Sequence, residues 1–185
     1  MYWAILVLIF AIVVLIVVLV YGVSFLMGLI LARGVPFVSL SRRQLRVVDE
    51  YIKLNPDNRV VDLGCGDGRV LRMFEKQGVK NLTGYEINFW AYLLAKIKNK
   101  ILKSKAKICF KNFKKVDLSE YNIIFCYLLP GCVNFLKEKF DRELKPGTKI
   151  ISYVFEIKNW HKPEIIYTNE KNKNLGKIFV YKINN

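Results

Sequence analysis

The chain opens on an unbroken apolar run: residues 1–32 carry no charged side chain, and residues 2–27 are almost wholly Ile, Leu, Val, Ala and aromatic. About 20 apolar residues cross a bilayer as a helix, so the run predicts a transmembrane segment over residues 1–32 with length to spare for tilt. After it the pattern changes. Gly34-Val35-Pro36-Phe37 predicts a break, and Ser41 predicts the N-cap of an amphipathic helix through Leu54, with Leu45, Val48, Tyr51 and Ile52 on its apolar face. Short apolar runs then alternate with helical patterns. Strands are predicted at residues 59–63, 81–86, 106–110, 123–127 and 149–155, and helices at 70–77, 89–103 and 133–144. In the second of these helices Leu93, Leu94, Ile97 and Ile101 fall on one side and lysines on the other. Two further runs, 165–168 and 176–183, predict a closing hairpin around a Lys/Asn-rich stretch.

This pattern divides the 185 residues into a span (1–32), a juxtamembrane linker (33–40) and one domain (41–185). A cleaved signal peptide is the competing reading of the first segment. The absence of a basic leader and the length of the apolar run favour an uncleaved anchor. Nothing basic precedes the span, whereas Arg33, Arg42, Arg43 and Arg46 follow it, so the domain is expected on the cytoplasmic face of the cell membrane, tethered by a single pass. Tyr2 and Trp3 then sit at the outer interface. Ser24, Gly28 and Ala32 fall four apart, either as a seam for a second helix or as the small residues common in spans.

The chemistry is concentrated in Val60-Val61-Asp62-Leu63-Gly64-Cys65-Gly66-Asp67-Gly68-Arg69, where the first strand turns into a helix. Alternating glycines let the backbone take positive φ and let a ligand approach, and the next helix offers free N–H groups to an anion. Dinucleotide sites want G-x-G-x-x-G, and Arg69 stands at the third position, which disfavours a nicotinamide. The second strand ends in Glu86, whose carboxylate can accept from both hydroxyls of a ribose.

Asp62-Leu63-Gly64-Cys65-Gly66-Asp67-Gly68 with Glu86 resembles motif I and its acidic partner in class I S-adenosylmethionine-dependent methyltransferases. The resemblance implies a Rossmann-like α/β sheet of seven strands with helices on both faces, one strand antiparallel. It implies S-adenosylmethionine as cofactor, bound by Asp62, Gly64, Cys65, Gly66, Asp67, Gly68 and Glu86, with Asn112 near the adenine amine and Phe113 against the ring. Tyr127-Leu128-Leu129-Pro130-Gly131 occupies the place of methyl-acceptor motifs in that class. It lacks the Asn/Asp-Pro-Pro-aromatic pattern of enzymes acting on nucleobase amines, which counts against nucleic acid.

A narrower resemblance runs along most of the chain. It comprises the N-terminal apolar helix, Pro36-Phe37-Val38, the glycine motif, Gly84-Tyr85-Glu86-Ile87-Asn88 and Asp117-Leu118-Ser119-Glu120-Tyr121, then Tyr127 to Pro130 and Phe155 with Trp160. These are similar to the small membrane-anchored protein lysine methyltransferases of mitochondria, which modify the adenine nucleotide translocase and the ATP synthase c subunit, and to their prokaryotic relatives. The resemblance implies transfer to a lysine ε-amine of a protein at the membrane. Tyr127, Pro130, Glu156 and Trp160 are the candidate acceptor-channel residues, with packing in the core or at the rim as the alternative. A lipid or quinone-like substrate and a non-catalytic cofactor-binding scaffold remain the other readings. An intact glycine turn with Asp62 and Glu86 counts against the scaffold.

Composition adds a partner class. Lys+Arg 30 against Asp+Glu 15 gives +15 and a pI near 9.7, which draws the domain to polyanions. The lysines from Lys96 to Lys115 either meet anionic headgroups or reflect an A/T-rich genome. No stacking motif or RNA module accompanies the charge. Cys65, Cys109, Cys126 and Cys132 lack C-x-x-C spacing, so neither a metal site nor a disulfide is expected. His161, the sole histidine, reads as a loop residue.

Overall fold

The computed structural model describes residues 2–31, 39–168 and 176–184. The expected break at Gly34-Val35-Pro36-Phe37, Ala32 and Arg33, Pro36-Phe37-Val38 and most of the Lys/Asn-rich stretch lie outside the described residues, as does the surface position of Gly28.

The apolar run forms one helix, α1 (Tyr2–Leu31). Its window Tyr2–Leu26, 25 residues of mean hydropathy 3.5, is long and apolar enough to cross a bilayer, and none of it is buried in the protein. A core helix would have been covered. α2 (Arg42–Tyr51) starts where Ser41 predicts, because the capping is local: Ser41 Oγ accepts from Gln44 N at 3.2 Å and Gln44 Oε1 accepts from Ser41 N at 2.7 Å. The helix stops at Tyr51 because Ile52 turns extended, and Gln77 Nε2 donates to Ile52 O at 3.0 Å. Val48 and Ile52 are buried, whereas Tyr51 faces solvent, against the expected apolar face.

The remainder is a seven-stranded sheet in the order β3-β2-β1-β4-β5-β7-β6. β1 (Arg59–Leu63), β2 (Asn81–Glu86), β3 (Lys107–Phe110), β4 (Ile123–Cys126) and β5 (Lys149–Tyr153) run parallel. β7 (Lys177–Lys182) is antiparallel to both β5 and β6 (Glu164–Tyr167), so the closing hairpin reverses one strand. Continuous apolar strands such as Ile123–Cys126 are what a sheet covered on both faces requires. Neighbouring residues feed opposite layers: Val60, Phe125 and Ile151 pack in one with Phe74, and Val61, Ile124 and Ile150 in the other with Phe140 and Tyr181. The strand order reverses at β1, with β2 on one side and β4 on the other, which opens a crevice at the strands' carboxyl ends.

Helices α3 (Arg69–Lys76) and α4 (Phe89–Ile101) follow β1 and β2. The single helix expected over 133–144 is instead two, α5 (Pro130–Phe135) and α6 (Lys137–Glu143). Pro130 starts α5, where its missing N–H costs nothing, and a tight bond from Leu136 N to Val133 O at 3.0 Å turns Leu136 into the core between them. In α4 the side against the sheet is small, with Ala91, Ala95 and Asn99 buried, while Leu94, Ile97 and Ile101 face away. α1 meets the domain at this helix, the Tyr21 ring lying 6.1 Å from that of Trp90.

Candidate active site

β1 delivers Asp62 and the glycine turn to the switch point. Gly64 N and Cys65 N both donate to Tyr85 O, at 2.9 and 3.1 Å, which folds the turn back over β2. Gly64, Gly66 and Gly68 hold φ of +77°, +55° and +77°, a region side chains avoid. A Cβ on Gly64 would stand 3.1 Å from Leu128 and 3.9 Å from Phe113, so residues after β3 and β4 close on the turn at a point where only glycine leaves room.

Two buried carboxylates face this turn. Glu86 Oε2 accepts from Gly66 N at 2.8 Å, and Oε1 accepts from Ile87 N and Asn88 N at 2.8 and 2.7 Å. Oε2 thus takes one backbone donor and Oε1 two, so the acceptor capacity that is left lies on Oε2. Burial raises the Glu86 pKa, and these three backbone donors partly offset it. Asp62 is raised well above the usual carboxylate range, first by burial and then by the charges of Glu86 and Asp67. A carboxyl so placed favours a cationic neighbour. Burial likewise pushes the Cys65 thiol up, which disfavours the thiolate that a nucleophile needs, and Cys65 lines the same cleft.

Asp67 also borders the cleft, and its carboxylate is taken up by cations. Its carboxylate accepts from Arg69 Nε at 2.8 Å and Nη2 at 2.9 Å and from Lys98 Nζ at 2.6 Å, and these cations hold it well below the usual range against the opposing effect of burial. Arg69 Nη1 also donates to Leu40 O, and Arg72 Nη1 bridges Asp67 O and Asn99 Oδ1 at 2.8 Å each. The resulting cleft is lined by Ser39 and Leu40 together with Asp62, Gly64, Gly66 and Tyr127. Ser39, Leu40 and the Arg69 bridge escape sequence reasoning. The mismatch at Arg69 in the glycine spacing carries no hint of a partner so far away in the chain.

Asn112 starts a short turn at Phe113–Lys115 and its Oδ1 accepts from Lys114 N at 3.0 Å, leaving the amide N–H₂ and a second lone pair. Tyr127 extends from β4 with its ring 5.5 Å from Tyr153 and stacked on Phe155 at 6.4 Å. Val154 between them holds φ of +72°, a strained conformation for a β-branched residue, tied by its N–H to Lys177 O at 2.8 Å. Pro130 and Glu156 are exposed and do not line the cleft. Trp160 packs in the other layer, its ring 5.8 Å from Phe140 and 5.4 Å from Tyr181, and its Nε1 donates to Asp141 Oδ1 at 2.9 Å. Of the four candidate acceptor residues, Tyr127 alone enters the cleft, with Tyr153 and Phe155 beside it. His161 is exposed, 3.6 Å from Asp141, as a loop residue would be.

A glycine cradle that a Cβ would fill, a free acceptor position on Glu86 and an elevated Asp62 carboxyl suit the adenosyl group and the positive charges of S-adenosylmethionine. Fold and turn together define a class I S-adenosylmethionine-dependent methyltransferase. The fold matches an RNA methyltransferase from Salinibacter ruber in complex with S-adenosyl-L-homocysteine, with TM-score 0.69 and 22% identity over 80% of this chain and 94% of that one. A family model described as the ANTKMT methyltransferase domain matches residues 62–164, and the chain belongs to that family. It is 37% identical over 152 residues to a protein-lysine N-methyltransferase of Saccharolobus islandicus (strain REY15A), covering 80% of this chain and 94% of the relative. It is 30% identical over 134 residues to the adenine nucleotide translocase lysine N-methyltransferase of Mus musculus, covering 71% of this chain and 58% of that longer protein. The chain is thus an S-adenosylmethionine-dependent methyltransferase of a protein-lysine N-methyltransferase family.

Proposed function

We propose that the chain is anchored in a membrane by α1 and methylates a lysine ε-amine of a protein lying close to the cytoplasmic face. One observation carries the reading: Ser39 and Leu40, which follow α1 closely in the chain, line the cleft with the glycine turn, so only a short stretch of sequence separates the apolar helix from the site. Exposed Arg42, Arg43 and Arg46 just beyond it support the cytoplasmic orientation.

The bound cofactor supplies an activated sulfonium methyl. The protein's task is alignment and exclusion of water. Glu86 would hold the ribose, and an ionised Asp62 carboxylate would balance the positive charge that the cofactor brings. Asn112 and Phe113 would bound the adenine side. Tyr127, Tyr153 and Phe155 give the acceptor an aromatic wall. A lysine entering such a wall loses hydration, which lowers its pKa and favours the neutral amine with a free lone pair.

The test is labelled methyl transfer by the full chain to membranes from a strain lacking it. Label should enter protein and appear as methyllysine after hydrolysis. Label confined to extractable lipid would overturn the lysine assignment.

A further inference from the structure

The side of α4 that faces away from the sheet is the apolar one. Phe89 is 45% exposed, Leu94 41%, Ile97 47% and Ile101 71%. Phe110, at the end of the outermost strand β3, is 50% exposed and extends the same surface, with its ring 5.9 Å from Phe89. Scattered apolar residues on a surface are ordinary, but a contiguous patch along one helix calls for a partner. Exposed Lys96, Lys100, Lys103, Lys107 and Lys111 surround it.

The patch is continuous with α1. The Tyr21 ring of α1 lies tilted against that of Trp90 on α4, and Trp90 Nε1 is buried with no hydrogen-bond partner among the described residues. The exposed apolar surface thus begins where the bilayer-crossing helix meets the domain.

We propose that this face of α4, with Phe110, docks onto the anionic surface of the bilayer that α1 enters. The inference rests on the anchored reading above. α1 confines the domain near that surface, so docking acts at high effective concentration. Phe89, Leu94, Ile97, Ile101 and Phe110 enter the headgroup and acyl boundary, while the lysines extend to lipid phosphates. α4 starts just after Glu86, so docking holds the cofactor cleft close to the bilayer, where loops of neighbouring membrane proteins present their lysines.

The test uses the full chain in vesicles of phosphatidylcholine with or without phosphatidylglycerol, carrying Ile97→Cys labelled with an environment-sensitive fluorophore, with the unsubstituted chain as blank. In anionic vesicles the emission should shift to the blue and be quenched by brominated acyl chains, and both effects should weaken in raised salt. Adding Lys100→Glu with Ile101→Glu should abolish both effects and leave methyl transfer to a soluble peptide unchanged. Water-like emission in anionic vesicles would overturn the proposal. A blue shift that grows with protein density and is insensitive to brominated lipid would also overturn it, because a second copy would then cover the face. Resistance of the chain to carbonate extraction reports the anchor separately. Retention with a water-like label refutes docking alone, and release refutes the anchored reading with it.

Discussion

Glu86 Oε2 accepts a 2.8 Å hydrogen bond from Gly66 N, so the acid that ends β2 clamps the glycine turn that follows β1. The carboxylate proposed to meet a ribose is thus also one that holds the cradle in shape.

Glu86→Ala should weaken S-adenosylhomocysteine binding by about 1–3 kcal/mol and lower the melting temperature, because three backbone N–H groups lose a charged acceptor. Glu86→Gln should recover only part of the loss, since its amide N–H₂ faces a backbone donor. Calorimetric titration and thermal unfolding measure both. Unchanged affinity and melting in the Ala variant would refute the clamp.

Asp62 gives a pH dependence with a definite sign. Burial, then Glu86 and Asp67, raise its folded pKa above the unfolded value of about 3.9. Its contribution to stability is present below that unfolded value and is lost as pH rises through the folded pKa. Asp62→Asn should therefore raise the melting temperature of the free enzyme at alkaline pH and weaken cofactor binding. Below the folded pKa of Asp62, binding of a cationic cofactor that drives it to ionise should release a proton. The measured enthalpy should then differ between buffers of different ionisation heat, and the difference should vanish in the variant.

Leu40 is almost fully buried and its carbonyl accepts from Arg69 beside the cofactor turn. Leu40→Ala should cost about 2–5 kcal/mol in urea unfolding. A chain beginning at Ser39 should bind S-adenosylhomocysteine about tenfold more tightly than one beginning at Ser41. Equal affinities would show that the segment merely leads into the domain.

Gly84→Ala should destabilise by about 1–3 kcal/mol through overpacking, because the new Cβ would lie 2.6 Å from Cys65 Sγ and 2.7 Å from Leu71 Cδ1. Urea unfolding at constant m-value reads this. A neutral result would mean that Cys65 has room to move.

Much of the molecule follows from short-range pattern. The ends of β1 and β2, the cap at Ser41, the glycine turn and the acid at the end of β2 are announced by local residue pattern and strand periodicity, and these are visible in the sequence, although the bonds that join the turn to Glu86 and Tyr85 span about twenty residues. Other features depend on which surfaces meet. Periodicity divides α4 into a large apolar side and a small one, yet it is the close approach to the turn that chooses: a Cβ on Gly68 would lie 3.6 Å from Ala95 Cβ, so only the alanine side fits inward. Trp160 and Tyr127 look equally suited to an acceptor channel until the sheet places them in opposite layers. Asp67 carries the look of a ligand residue, but Lys98, far along the chain, and Arg69 occupy its carboxylate. The sequence alone determines where the strand, the glycine turn and the helix fall, because apolar periodicity and the freedom of glycine to take positive φ are properties of residues near in the chain. Tertiary structure decides which side chains reach the cleft and which face lies open, because both depend on the space left between elements distant in sequence.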